Sequence, residues 1–211
     1  MLTRLAALVA PPLCWGCSAP APRGSPLCRA CARGLRRLPP DLVDLAGVPC
    51  FSAVAYEGPA RPLVRALKFR AALAVADSMA AAIAATAPDG LFEGAALVPV
   101  PLARSRARSR GFNQALVLAR ALGRRTGCTV VECLERRAGF GTQVGRDRAE
   151  RTRAVTGSMR AGDAAARVGR AVVVDDVATT GATLAACASA LRGACCEPVL
   201  AVTYARTLGR L

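Results

Sequence analysis

The stretch "VVVDDVATTGATL", residues 172 to 184, decides the fold. Val172, Val173 and Val174 form a β-branched run with no polar alternation, which reads as a strand covered on both faces, as in a parallel sheet. The strand is expected to stop on charge. Asp175 and Asp176 stand where its carboxyl end would be, outside the core, and open α/β sheets bind ligands in the crevice beyond those ends. After the Thr179–Thr183 turn, Leu184, Cys187, Ala188 and Leu191 recur at helical spacing. The segment is strand, turn, helix, with two acids facing a ligand.

A glycine-containing turn that opens a helix presents unpaired N–H groups and the positive end of the helix dipole, and both favour a phosphate. Thr179, Thr180 and Thr183 add hydroxyl donors. Carboxylates just before such a cradle repel phosphate but accept hydrogen bonds from sugar hydroxyls. A phosphorylated ribose meets both demands, with acids on the ring hydroxyls and loop amides on the 5′-phosphate. A P-loop would instead end in Gly-Lys-Ser/Thr, which is absent.

Outward from this segment, strands are expected at 50–58, 95–102, 128–134 and 197–205, with helical patterns at 59–69, 72–86 and 111–125. In the last of these helices Phe112, Leu116, Ala119 and Leu122 share one face. Strands alternating with helices imply βαβ units in a doubly wound parallel sheet. Residues 136–170 lose the pattern and suit a loop over the sheet's carboxyl end.

Aromatics are only 4% of the 211 residues, so the core must be built mainly from Ala, Val and Leu. A net charge of +15 favours anionic partners. Residues 101–170 carry 16 Arg against 5 Asp plus Glu, which puts most of that charge beside the expected site. Histidine is absent, which excludes a Ser-His-Asp triad and a Cys2His2 metal site. Lys68 is the single lysine.

The start of the chain, "MLTRLAALVAPPLCWGC", holds an apolar run from Leu5 to Ala10 that is shorter than a secretory h-region, so a short helix ended by Pro11-Pro12 is expected. No segment approaches the ~20 apolar residues of a membrane span. A cytoplasmic location follows as the expectation, with cysteines serving as thiols or metal ligands. Cys14-x2-Cys17-x10-Cys28-x2-Cys31 has the spacing of one tetrahedral zinc site, two disulfides being the competing use of the same thiols. Cys50, Cys128, Cys133, Cys187, Cys195 and Cys196 lack such pairing and read as small core residues.

The opening stretch resembles the phosphoribosyl-pyrophosphate (PRPP) binding motif of type I phosphoribosyltransferases. The chain as a whole is similar to the ComF family, which joins such a domain to an N-terminal cysteine module. The cysteine quartet matches the zinc module, "LVRALKF" (63–69) a segment containing the family's lysine, and "VPVPLARSRARSRGFNQALVLARAL" (98–122) its PVP and RGFNQ blocks. "TQVGRDRAER" (142–151) matches its TQ…R loop. Where the family pattern reads Arg-x-x-Asn-Val-x-Gly-x-Phe, this chain has Arg151, Ala154, Val155, Gly157 and Met159.

The resemblance implies a type I phosphoribosyltransferase-like doubly wound sheet over 39–211 and a zinc module over 1–38. It places Asp175 and Asp176 on the ribose hydroxyls and Ala178, Thr179, Thr180, Gly181, Ala182 and Thr183 around the 5′-phosphate. Val100 and Pro101, beside Arg110, lie where pyrophosphate is held, with Lys68 as a candidate second contact; Mg2+ would enter with PRPP. The implied role is in DNA uptake or processing during natural transformation, alongside a competence helicase. Single-stranded DNA would be met by the arginines at 104–110 and 146–153, a run that also reads as a solvated face. A nucleotide-salvage phosphoribosyltransferase acting on a purine or pyrimidine, and a non-catalytic PRPP or nucleic-acid binding module, are the competing functions.

Overall fold

The structure is a computed structural model that describes residues 12–70, 73–102, 110–137 and 158–209. Helix α1 (Arg29–Arg33) belongs to the cysteine segment. Then follow β1 (Val43–Asp44), β2 (Pro49–Ala55), α2 (Ala60–Arg70), α3 (Leu73–Thr86), β3 (Ala95–Pro99) and α4 (Gln114–Thr126). The second half holds β4 (Leu134–Arg136), β5 (Met159–Ala161), a 3-10 turn over Asp163–Arg167, β6 (Arg170–Ala178), α5 (Ala182–Arg192) and β7 (Val199–Arg206). The expected 1–10 helix lies outside the described residues.

The main sheet has the order β1-β2-β7-β6-β3, in which β2, β7, β6 and β3 are mutually parallel and β1 is an antiparallel edge. It is a mixed α/β architecture around a mostly parallel sheet. The valine run explains itself here, because β6 is interior and has cover on both faces. Val172 and Val174 pack into a core with Leu67 of α2, Ile83 of α3 and Leu122 of α4, whereas Val173 packs on the other side with Leu184 and Leu191 of α5. All three valines are fully buried.

Four expectations require correction. First, β6 does not stop on charge: it runs on through Asp175 and Asp176 to Ala178, held by β7, whose Thr203 and Ala205 are the register partners of Asp175 and Val177. Second, residues 128–134 do not form a strand. Val130 makes a single parallel bridge to Leu97, closed by Leu97 N–H to Thr129 O (2.8 Å) and Val131 N–H to Leu97 O (2.9 Å). This segment lies beyond the edge strand β3, where no further ladder extends it, and regular pairing resumes only when β4 meets β5 antiparallel.

Third, α4 starts at Gln114 because Asn113 caps it, its side-chain oxygen accepting from Ala115 N–H at 3.0 Å. That start leaves Phe112 outside the helix, and the buried face is Ala115, Leu118, Ala119 and Leu122, with Leu116 only half-buried. Fourth, Cys195 is exposed and Cys128 half-buried, its thiol donating to Phe92 O at 3.2 Å; Cys50, Cys133, Cys187 and Cys196 are buried as expected.

The cysteine segment is not a detached appendage. Cys14, Ala21 and Leu27 are buried in the same core as Phe51, Leu63 and Leu67. Residues 36–38 continue from it as an antiparallel edge on β2, with Ala55 N–H to Arg36 O at 2.8 Å and Leu38 N–H to Ala53 O at 3.0 Å. Pro39 and Pro40 then interrupt the pairing, as residues lacking an N–H must. Among the described residues, no helix is long and apolar enough to cross a membrane.

Candidate functional site

The carboxyl ends of β6 and β3 gather the residues singled out by the sequence. Asp176 is buried at 2% exposure, which corrects the expectation of a side chain outside the core. Its Oδ2 lies 3.2 Å from Lys68 Nζ on the last turn of α2. No donor among the described residues meets that oxygen in hydrogen-bonding geometry, so Lys68 holds it by charge alone. A buried carboxylate is tolerable only when paired, and the single lysine is the partner.

Asp175 is half-buried and its Oδ1 accepts from Asp176 N–H at 2.8 Å. Burial, reinforced by the Asp176 carboxylate beside it, pushes the Asp175 carboxyl well above the usual range, against the opposing pull of that N–H and of Lys68. The two acids are therefore unlike: one is neutralised by a cation, the other favours its proton.

Beyond Ala178 the chain turns through exposed Thr179 and Thr180 into Gly181, which adopts φ 76° and caps α5. Two separate facts demand glycine here. A Cβ would be disfavoured at that φ, and it would stand 2.8 Å from the backbone of Leu45 in the β1–β2 turn. Ala182 N–H reaches only Thr180 Oγ1, at a long 3.4 Å, and Thr183 is half-buried in the first turn of α5. An anion placed there would meet the helix N-terminus.

Val100 and Pro101 follow directly on β3. Val100 donates its N–H to Val174 O at 3.0 Å and its carbonyl accepts from Asn113 Nδ2 at 3.0 Å. Asn113 thus performs two tasks, capping α4 and pinning the end of β3 to it. Val100 consequently serves to anchor this turn, and Pro101 carries no N–H to offer. Arg110 lies with its Cζ 5.1 Å from the centroid of the Phe69 ring and donates to Gln114 Oε1 at 3.3 Å. Since Phe69 follows Lys68, the LKF and RGFNQ segments meet at the site. Asn113, Gln114 and Phe69 were not singled out by residue chemistry; the signal was their membership of those two segments. Arg104, Arg106, Arg108 and the 142–153 loop lie outside the described residues.

Cys14, Cys17, Cys28 and Cys31 come together as expected, their Sγ atoms all within 4.8 Å of one another. Cys17 Sγ and Cys28 Sγ are 3.7 Å apart, close to the ~3.8 Å that a tetrahedral ion with ~2.3 Å bonds to sulfur imposes. Gly16 N–H donates to Cys14 Sγ at 3.3 Å and Cys31 N–H to Cys28 Sγ at 3.5 Å, so each knuckle turns backbone dipoles toward a thiolate. Burial opposes ionisation of Cys14, but backbone hydrogen bonds at Cys28, Cys17 and Gly16 outweigh it and bring this thiol down to about 6. Burial and the neighbouring thiols push Cys31 up to about 12. All four thiols are free, and the set could hold a structural metal such as zinc.

A cavity of about 760 Å3 opens at the opposite end of the sheet, between Ala95 and Arg170 at the starts of β3 and β6. Its lining sets one carboxylate, Glu93, beside Arg167 and Arg170 and meets the carboxyl end of α4 at Thr126 and Gly127. None of the candidate ligand-binding residues lines it, and the β6–α5 end remains the candidate site. No protein-family model matches the chain, and no curated protein matches it.

Proposed function

We propose that the chain has a type I phosphoribosyltransferase-like fold and binds PRPP at the carboxyl ends of β6 and β3, as a ComF-like protein. One observation carries the reading. A buried carboxylate oxygen that lacks a hydrogen-bond donor, Asp176 Oδ2, stands two residues before the end of β6 and five before a glycine-capped helix start. Buried acceptors find donors, and ribose hydroxyls are donors of the right kind beside an anion cradle.

In this reading Asp175 and Asp176 take the ribose hydroxyls, and residues 178–183 enclose the 5′-phosphate with α5 amides and threonine hydroxyls. Lys68 and Arg110 supply cations toward the pyrophosphate, with Val100 and Pro101 setting the turn between them. Mg2+ would arrive on the pyrophosphate oxygens and screen charge as that group leaves. An ion pair of Lys68 with Asp176 would be shared once pyrophosphate offers oxygens of its own, releasing Asp176 toward the sugar. The ComF likeness extends the proposal to a cytoplasmic role in DNA uptake or processing, with single-stranded DNA and a helicase as partners. Zinc in the cysteine quartet is structural in this scheme.

The test is calorimetry with PRPP and Mg2+, followed by assay for released pyrophosphate. Binding at one site per chain that is weakened in Asp176→Asn supports the proposal. No heat with PRPP, in protein that melts cooperatively, overturns it.

A further inference from the structure

We propose that Arg206 is a further binding residue of this site, its guanidinium taking two oxygens of the ligand's 5′-phosphate; the proposal rests on the ribose-phosphate reading above. Arg206 is the last residue of β7, the central strand, and its register partners are Ala55 at the end of β2 and Ala178 at the end of β6. Ala178 is where the phosphate turn begins. Neighbouring strands lie about 4.8 Å apart, well within reach of an arginine stem. The backbone on both sides is fixed: Tyr56 N–H donates to Arg206 O at 2.8 Å and Thr207 N–H to Ala178 O at 2.9 Å.

The side chain is half-buried, yet among the described residues no hydrogen bond or ion pair engages its guanidinium. Its neighbours at the same sheet edge are otherwise committed, Arg36 to Glu57 at 3.5 Å and Arg61 to Tyr56 O at 3.3 Å. Burial is what chiefly raises the Cys50 thiol, but that thiol also feels the Arg206 charge and the Asp175 carboxyl. Both charges therefore lie within electrostatic reach of Cys50. The acids draw their charge partner from Lys68 instead, which leaves the Arg206 fork available beside the turn. A planar fork of N–H donors matches two oxygens of one phosphate, and a half-buried cation gains from such a partner.

The experiment titrates ribose 5-phosphate and, separately, inorganic pyrophosphate into wild type, Arg206→Gln and Arg206→Lys, with melting curves for each. Expected is a loss of about 10- to 100-fold in ribose 5-phosphate affinity for Arg206→Gln, the scale of one charge-assisted pair. Arg206→Lys should fall between, keeping charge but not the fork, and pyrophosphate affinity should stay within about twofold. If wild type binds and Arg206→Gln binds ribose 5-phosphate equally well, Arg206 is not a phosphate contact although the site stands. An equal loss for both ligands, or a loss for pyrophosphate alone, overturns the assignment as well. Wild type that binds neither ligand removes the ribose-phosphate reading and this inference together. Should Arg206→Gln fail to fold, the same comparison in Arg206→Lys decides.

Discussion

Lys68 Nζ lies 3.2 Å from Asp176 Oδ2, joining the one lysine of the chain to the most buried acid among the described residues across the α2–β6 contact. Lys68 keeps 27% of its side chain exposed while Asp176 keeps 3%, so the two partners respond differently to loss of the other. Lys68→Met leaves a carboxylate in the core without its cation and should cost more stability than Asp176→Asn, which leaves a lysine able to turn toward water. Asp176→Asn should fold and lose about 1–3 kcal/mol of PRPP affinity, the scale of a charged hydrogen-bond acceptor. Thermal melting of both variants, with calorimetry on the second, checks the ordering. Equal melting temperatures for the two would contradict it.

The cysteine quartet is coupled to the main core through Cys14, Ala21 and Leu27. Chelation should therefore lower the melting temperature of the whole chain rather than release one small module, because metal binding and folding are linked in such sites. Purified protein is expected to carry one zinc per chain by elemental analysis. Gly16→Ala should reproduce the metal loss without replacing a ligand, since a Cβ there would sit 2.9 Å from Cys31 Sγ and displace it. Full zinc occupancy in Gly16→Ala would count against a closed knuckle.

The valine run, the helix after it and the four cysteines were legible in the sequence because each is a local pattern. Covered strands need apolar runs, helices need their period, and a metal needs its ligand spacing. What could not be read was long-range. Nothing near residue 176 says that β7 will extend β6 past both acids, or that Lys68, over a hundred positions earlier, will bury one of them. The shortfall at 128–134 has the same origin: "CTVVECL" has strand composition, but its place outside β3 gives it one bridge and no ladder. Arg206 escaped notice because an arginine at a strand end is unremarkable until its neighbours across the sheet are known.

Gly181 is held by two constraints, a φ of 76° and a 2.8 Å approach to the Leu45 backbone. Gly181→Ala carries roughly 1–2 kcal/mol from conformation alone, and the Leu45 segment must move in addition because a backbone atom cannot rotate away. Its expected result is a lower melting temperature together with weakened phosphate binding. Gly47→Ala offers a control in the same turn region: its φ is 83°, yet nothing lies within 4 Å of an added Cβ. A Gly181→Ala variant no less stable than Gly47→Ala would mean that the close approach to Leu45 carries no cost.

Asp175 makes stability depend on pH in a direction that its environment fixes. Burial first, and the Asp176 carboxylate second, raise its folded pKa well above the unfolded value. Between the unfolded pKa near ~3.9 and that raised value, the native chain holds a proton that the unfolded chain has released. The contribution of Asp175 is thus fully present in acid below the unfolded pKa and is lost as pH rises through the folded one. Asp175→Asn removes the titration while keeping the shape, so the variant should gain stability relative to wild type as pH rises toward neutrality, and the gain should shrink toward pH ~4. Denaturant melts of both proteins across that window measure the difference. A gap that is constant with pH, or one that widens in acid, would show that the folded pKa of Asp175 is not raised above the unfolded one.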